Sequence, residues 1–150
     1  MGICESMNNS SSFSNNNNDN NQVSFRCFYD VKNINEDLKL INYKIHGDVN
    51  KEIISKIKIL NDNKKEDIIS YKKFNKPGIN TIDFIIEEKF TNISGIFSDC
   101  DSLITIEFIS IDTSKVKDMS SMFSYCKSLE YLDLSNFDTT NVEYMMCMFY

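Results

Sequence analysis

Apolar and polar positions alternate with period two from residue 23 onward. Val23, Phe25, Cys27 and Tyr29 alternate with Ser24, Arg26 and Phe28. Leu38 and Leu40, then Tyr43 and Ile45, follow with Lys39 and Lys44 between them. Ile57 and Ile59 alternate with Lys56 and Lys58, and Ile82, Phe84 and Ile86 with Asp83 and Ile85. Successive strand side chains point to opposite faces, so this pattern predicts half-buried strands. The breaks at His46-Gly47-Asp48, Asn61-Asp62-Asn63 and Lys76-Pro77-Gly78 carry turn-forming residues. Ile53 to Leu60 also fits a short helix, because Glu52, Lys56 and Ile53, Ile57 sit four apart. Residues 23–92 therefore read as a mainly β segment.

From residue 93 the pattern changes to self-similarity at a spacing of 26. Phe97, Phe123 and Phe149 are equivalent, as are Ile93, Met119, Met145 and Ile96, Met122, Met148. Residues 93–118 and 119–144 align without a gap and share nine identities, among them Phe97/Phe123, Cys100/Cys126, Leu103/Leu129 and Asp112/Asp138. A period of this length is the signature of a solenoid. Each unit has two halves. Leu129-x-x-Leu132-x-Leu134 ends in strand-like alternation. Val116, Met119, Met122, Phe123 and Cys126 fall on one face of a helix or of a tight 3₁₀-like turn. Asp112-Thr113-Ser114 stands just ahead, with side-chain oxygens for the first free amides. Strand, turn and short helical return would make one coil of a right-handed solenoid, with Leu, Phe and Met rows as its core. The chain holds two full units and the start of a third. Arrays generally need about three units plus caps. Either 23–92 caps the array and a partner covers the far end, or the chain is a fragment of a longer product; the fragment reading is preferred.

These motifs carry a resemblance. Val116-Lys117-Asp118-Met119-Ser120-Ser121-Met122-Phe123, then Cys126-x-x-Leu129 and Leu132-Asp133-Leu134-Ser135-Asn136-Phe137-Asp138-Thr139, closely resemble the BspA-like leucine-rich repeat family, found in surface proteins of bacteria, mycoplasmas and protists. The resemblance covers about residues 93–150. It implies a non-catalytic, often adhesive interaction surface and names no ligand. One departure matters: Ile111 and Phe137 stand where a typical leucine-rich repeat carries asparagine, so the usual asparagine ladder is missing. The fold class expected is α/β, a short leucine-rich-repeat-like solenoid after a mainly β segment.

Composition narrows the function classes. The chain has 150 residues, is 41% hydrophobic and 25% charged, and so resembles an ordinary globular chain of about one domain. Its apolar runs are only a few residues long, far short of the roughly 18 that span a bilayer. The first 22 residues lack the basic and apolar regions of a secretory signal. Charge is uneven: residues 23–92 hold 13 basic and 11 acidic side chains, and residues 93–150 hold three and nine. That acidity argues against nucleic acid, whose phosphates call for Lys and Arg. One histidine, four scattered glycines and no ligand-spaced His/Cys cluster offer no catalytic constellation, phosphate loop or zinc site. No catalytic residue, cofactor, metal or small-molecule substrate is expected.

The amino terminus holds the most specific chemistry. Met1-Gly2-Ile3-Cys4-Glu5-Ser6 fits the N-myristoylation pattern, with Gly2 as the acylated amine. One myristoyl chain anchors only marginally. The first basic residue is Arg26, so no polybasic stretch flanks the site, and Cys4 offers palmitoylation as the second anchor, as in dually acylated signalling proteins. Residues 7–22, nearly all Asn and Ser, cannot offset the entropy of ordering and read as part of a disordered tether over 1–22. Myristoylation occurs in the eukaryotic cytosol, whereas the resemblance implies outward display. The chain's own motif favours the cytoplasmic face of a membrane; the alternative is a secreted or surface adhesin, or a degenerate repeat fragment with a structural role only. Cys4, Cys27, Cys100, Cys126 and Cys147 make an odd count without close pairs, which suggests reduced thiols, with a Cys100–Cys126 bridge as the alternative for a secreted chain. The expected partner face is the strand side of the repeats: Thr105, Glu107 and Ile109, then Tyr131, Asp133 and Ser135. It is acidic with one aromatic, so a protein partner with a basic segment is expected.

Overall fold

Strand β1, Phe25–Val31, alternates buried and half-buried positions along its length, as its sequence predicts. It lies at the centre of the sheet rather than at an edge. A computed structural model describes residues 23–45 and 48–150; His46 and Gly47, and the tether with Gly2 and Cys4, lie outside the described residues. The elements after β1 are β2 (Leu38–Lys39), β3 (Lys44–Ile45), β4 (Asp48–Val49), α1 (Lys51–Lys56), β5 (Ile57–Asn61), β6 (Lys64–Asp67), β7 (Tyr71–Lys72), β8 (Gly78–Ile86), β9 (Leu103–Phe108) and β10 (Tyr131–Leu132). Six strands form one sheet in the order β10-β9-β1-β8-β5-β6, and β2-β7 and β3-β4 form two small pairs. The protein is thus mostly sheet with little helix.

Local chemistry explains the elements. Asn50 caps α1, its side chain accepting from the amides of Glu52 and Ile53, and the chain turns extended at Ile57. The alternatives for Ile53–Leu60 divide there: helix before Ile57, strand after it. Asp62 and Asn63, both at positive φ (47° and 61°), form the two-residue turn between β5 and β6, a backbone that Asp and Asn tolerate better than most residues. Strand β6 is exposed throughout and wholly charged, Lys-Lys-Glu-Asp, which protects that edge of the sheet from further pairing.

The repeats enter the same sheet. β9 pairs antiparallel with β1, and β10 runs parallel to β9 with Tyr131 opposite Thr105 and Leu132 opposite Ile106. On the other side of each 26-residue unit the backbone is bonded twice over. The amides of Ile93, Gly95, Phe97 and Asp99 donate to carbonyls of Asp118, Ser120, Met122 and Ser124, at 2.8–3.0 Å. Those of Met119, Ser121, Phe123 and Tyr125 donate to Tyr144, Met146, Met148 and Tyr150 in the same way. Between them, Ile96, Ser98 and Cys100 close three-residue turns onto Ile93, Gly95 and Phe97. Side chains follow the backbone. Phe97 stacks on Phe123 and Phe123 on Phe149, with centroids 5.6 and 5.5 Å apart and planes within 11°.

Of the two forms expected for the return, a helix or a tight 3₁₀-like turn, the structure takes the turn. No helix occurs between 93 and 150. An α-helix would use its amides internally, whereas here alternate amides are needed by the next unit. Every fourth residue takes positive φ: Gly95 and Asp99, Ser121 and Tyr125, and Cys147. A run of turns with this spacing places apolar side chains at steps of three and four, as a helix does. A side chain also joins the two units: the buried Thr113 hydroxyl accepts from the Asp138 amide at 2.7 Å and donates to its carbonyl at 3.0 Å. Ion pairs also join equivalent positions, Lys117 to Glu143 and Lys127 to Asp101. As predicted, Asp112 turns its carboxylate onto the Ser114 amide. Lys89 above all, and then the bonds from Ser114, hold its pKa well below the ordinary carboxylate range.

One continuous core joins both parts. Phe25 stacks on Phe84 at 4.8 Å and meets Phe97 edge-on at 5.7 Å. Leu40 and Ile41 are fully buried, and the amide of Asn42 donates to Ile96. Cys27 and Cys100 are buried and Cys126 half-buried, its thiol 2.9 Å from the Phe97 carbonyl; all three are free thiols.

Candidate interaction face

The inner face of the six-stranded sheet is filled by Phe25, Cys27, Tyr29, Phe84 and Ile106. Its other face carries three cross-strand rows, each set by the register. In the first, Thr81, Phe28, Thr105 and Tyr131 are successive partners on β8, β1, β9 and β10. In the second, Leu60, Asp83, Arg26 and Glu107 follow one another on β5, β8, β1 and β9. In the third, Ile79 faces Asp30. A β-irregularity between Phe28 and Tyr29 shifts the β9 register there, and Ile104 joins Ile79 and Asp30 in lining a cavity of about 480 Å³ with Lys32, Lys127 and Leu129.

The aromatic row is the apolar centre. Tyr131 is 66% exposed and Ile79 57%, while Phe28 is half-buried between Thr81 and Thr105. Large rigid rings, Phe28 in the middle of the sheet and Tyr131 on its edge strand, with charges around them, have the composition of a binding hot spot. The charges are partly paired. Arg26 grips Asp83 through two bonds, Nε to Oδ1 at 2.5 Å and Nη2 to Oδ2 at 2.9 Å. Bidentate geometry fixes the guanidinium beside Glu107. That hydrogen bond to Asp83, with Asp83 and Glu107 as further negative neighbours, raises the already high pKa of Arg26.

The residues expected from the repeats are distributed over this surface. Thr105, Glu107 and Tyr131 stand in the rows. Ile109 is exposed beyond the end of β9, its amide donating to Ser24. Asp133 and Ser135 are exposed on the loop after β10, where the Ser135 amide donates to Asp133 and lowers its pKa. The expected strand over Leu129–Leu134 contracts to two residues. Phe28, Ile79 and Arg26 were missed, because they come from β1 and β8 outside the repeats. One signal was present: Phe28 is an aromatic in the polar phase of the β1 alternation. β1 and β8 add Arg26 together with Asp30 and Asp83, so the face stays acidic, with one basic group among the carboxylates of its rows.

Among the described residues no helix is long and apolar enough to cross a membrane. Neither a curated protein nor a solved structure matches the chain. Residues 65–150 match the family model described as Mycoplasma protein of unknown function, DUF285.

Proposed function

The chain belongs to the DUF285 family, and from that premise we propose that it is a non-catalytic protein-interaction module with a BspA-like, leucine-rich-repeat-type solenoid as its scaffold. The face of β8, β1, β9 and β10 takes the partner. The observation that carries this reading is the aromatic row Thr81–Phe28–Thr105–Tyr131, exposed on one side and backed by the core on the other. A rigid sheet holds Phe28 and Tyr131 at fixed separation, so little side-chain entropy is lost when a partner closes over them. Glu107, Asp133 and Glu130 around the row favour a partner segment carrying Lys or Arg.

The repeat stacking supports the solenoid scaffold, since equivalent residues lie above one another and share backbone bonds. In the proposed arrangement residues 23–92 cap its first coil. The module is tethered to the cytoplasmic face of a membrane through myristate on Gly2 and palmitate on Cys4. A second reading, a surface adhesin, is favoured by the family's mycoplasmal description, because bacteria do not myristoylate. Labelling with a myristate analogue, with Gly2→Ala as control, separates the two; absence of label in the wild-type chain rejects the tether. The partner face is tested by capturing ligands with the full chain and repeating with Tyr131→Ala and Glu107→Lys. Hot-spot truncation should weaken the complex by about 2 kcal/mol, some thirtyfold. Equal capture by all three proteins rejects the face.

A further inference from the structure

The sequence offers no basic stretch beside the acylation motif, but folding assembles a basic surface elsewhere. A cavity of about 400 Å³ opens where β5 and β8 meet the segment after β7; Lys72, Lys73, Asn61, Asn75 and Asn80 line it, together with Asp83, whose carboxylate is held by Arg26. Lys64 stands opposite Asn61 in the β5–β6 ladder, and Lys76 follows Asn75. The carbonyls of Lys76 and Gly78 accept from the buried Asn80 amide group at 3.2 and 2.9 Å, which fixes the loop that carries Lys76.

These lysines are uncommitted. Among the described residues none of Lys64, Lys72, Lys73 and Lys76 makes an ion pair, whereas Lys58 is bound to Asp67 and Lys65 to Glu87. The nearby carboxylates are mostly engaged: Asp83 by Arg26, Asp67 by Lys58, and Glu66 by the Asn61 amide. Asp62, in the β5–β6 turn, is the remaining acidic group. Sheet order then separates this surface from the acidic repeats. The cavity sits at β5 and β8, so the acidic repeat strand β9 is two to three strand spacings away, roughly 10–14 Å. That is a little over one Debye length at physiological salt, so the negative charge of the repeats is partly screened at the lysines.

We propose that this lysine-rimmed cavity binds the phosphorylated headgroup of an anionic membrane lipid. The cavity admits one headgroup, and the Asn75 amide and the ammonium groups of Lys72 and Lys73 supply donors for phosphate oxygens. The surface would be an attachment signal additional to the acyl chains. The inference deepens the membrane reading without depending on acylation.

The test uses the full chain with Gly2→Ala, which carries no myristate, in sedimentation with vesicles. Partition is expected onto phosphatidylcholine vesicles containing a phosphoinositide, falling as salt is raised, and not onto phosphatidylcholine alone. Each lysine at an anionic surface contributes about fivefold (about 1 kcal/mol), so Lys72→Glu with Lys73→Glu should lower partition at least about tenfold. Lys115→Glu, the same charge reversal at an exposed position of the repeats outside both surfaces, should leave it unchanged. If the charge-reversed chain fails to fold by circular dichroism, Lys72→Gln with Lys73→Gln replaces it. Equal partition of wild type and variant overturns the proposal, as does equal binding to phosphatidylcholine alone. Tighter binding of a single-stranded RNA than of the vesicles overturns it as well, and full displacement by inorganic triphosphate at matched ionic strength assigns the cavity to a soluble phosphate instead. Failure of myristate labelling, by contrast, would reject the acyl tether and leave this result standing.

Discussion

Replacing stacked phenylalanines by leucine in pairs measures whether the 26-residue units rest on one another. Phe97 is 1% exposed and Phe123 3%. Their rings lie 5.6 Å apart and nearly parallel, and Phe97 also meets Phe25 and Phe108 edge-on. Phe→Ala at such a site costs about 3–5 kcal/mol, a large part of the roughly 5–15 kcal/mol that keeps a domain folded. Leucine retains most of the volume, and each single change should cost on the order of 1.5 kcal/mol. The informative quantity is the coupling. Offset-stacked rings contribute about 0.5–1.5 kcal/mol beyond their buried area, and either Phe97→Leu or Phe123→Leu removes that contribution. The double variant should therefore be less destabilised than the sum of the singles by about that amount. Urea unfolding with a common m-value is the assay. Phe149, 63% exposed and stacked on one side only, is the internal comparison; Phe149→Leu should cost less than about 0.5 kcal/mol. Additivity of Phe97→Leu and Phe123→Leu within about 0.3 kcal/mol would show that the rings belong to separate clusters, and the stacked arrangement would fail with it.

Other expectations follow from single contacts. Thr113→Val keeps the shape but leaves the amide and carbonyl of Asp138 without their partner; urea unfolding should show a loss of about 1–3 kcal/mol, with Thr113→Ser close to wild type. Glu52 is pulled up by partial burial, but bonds from the Thr91 hydroxyl and the Thr91 and Asn92 amides, with Lys56, outweigh this and leave its pKa lowered. The stability it supplies is therefore present above its unfolded pKa and lost as pH falls through the lower folded value. Glu52→Gln should flatten the acid limb of a pH–stability curve, and an unchanged limb would refute that role. Burial pushes the Cys126 thiol up to about 11, and burial raises Cys27 and Cys100 as well, whereas Cys147 is exposed. In a Cys4→Ala chain at about pH 8, iodoacetamide should label Cys147 first and the other three only on unfolding, as read by peptide mass spectrometry.

The sequence by itself determined the parts of this protein that are local or periodic. Alternation fixed which residues of β1, β5 and β8 face the core, because a pleated strand has a side-chain period of two. The 26-residue spacing brought Phe97, Phe123 and Phe149 into one row, because equivalent positions of stacked units superimpose. Turn chemistry at Asp62-Asn63 was equally legible. The tertiary structure decided what depends on distant partners. Whether residues 116–126 form a helix or a chain of turns rests on where their amides bond, and those bonds are made 25 residues away. That β1 lies between β8 and β9 brings Phe28 and Arg26 beside Thr105 and Glu107, and no local pattern encodes that order. The same long-range pairing gathers Asn61 and Lys72 around one cavity although the intervening chain holds Glu66 and Asp67. Side-chain identity sets each strand's two faces, but only the pairing of strands far apart in the chain sets which faces become one surface.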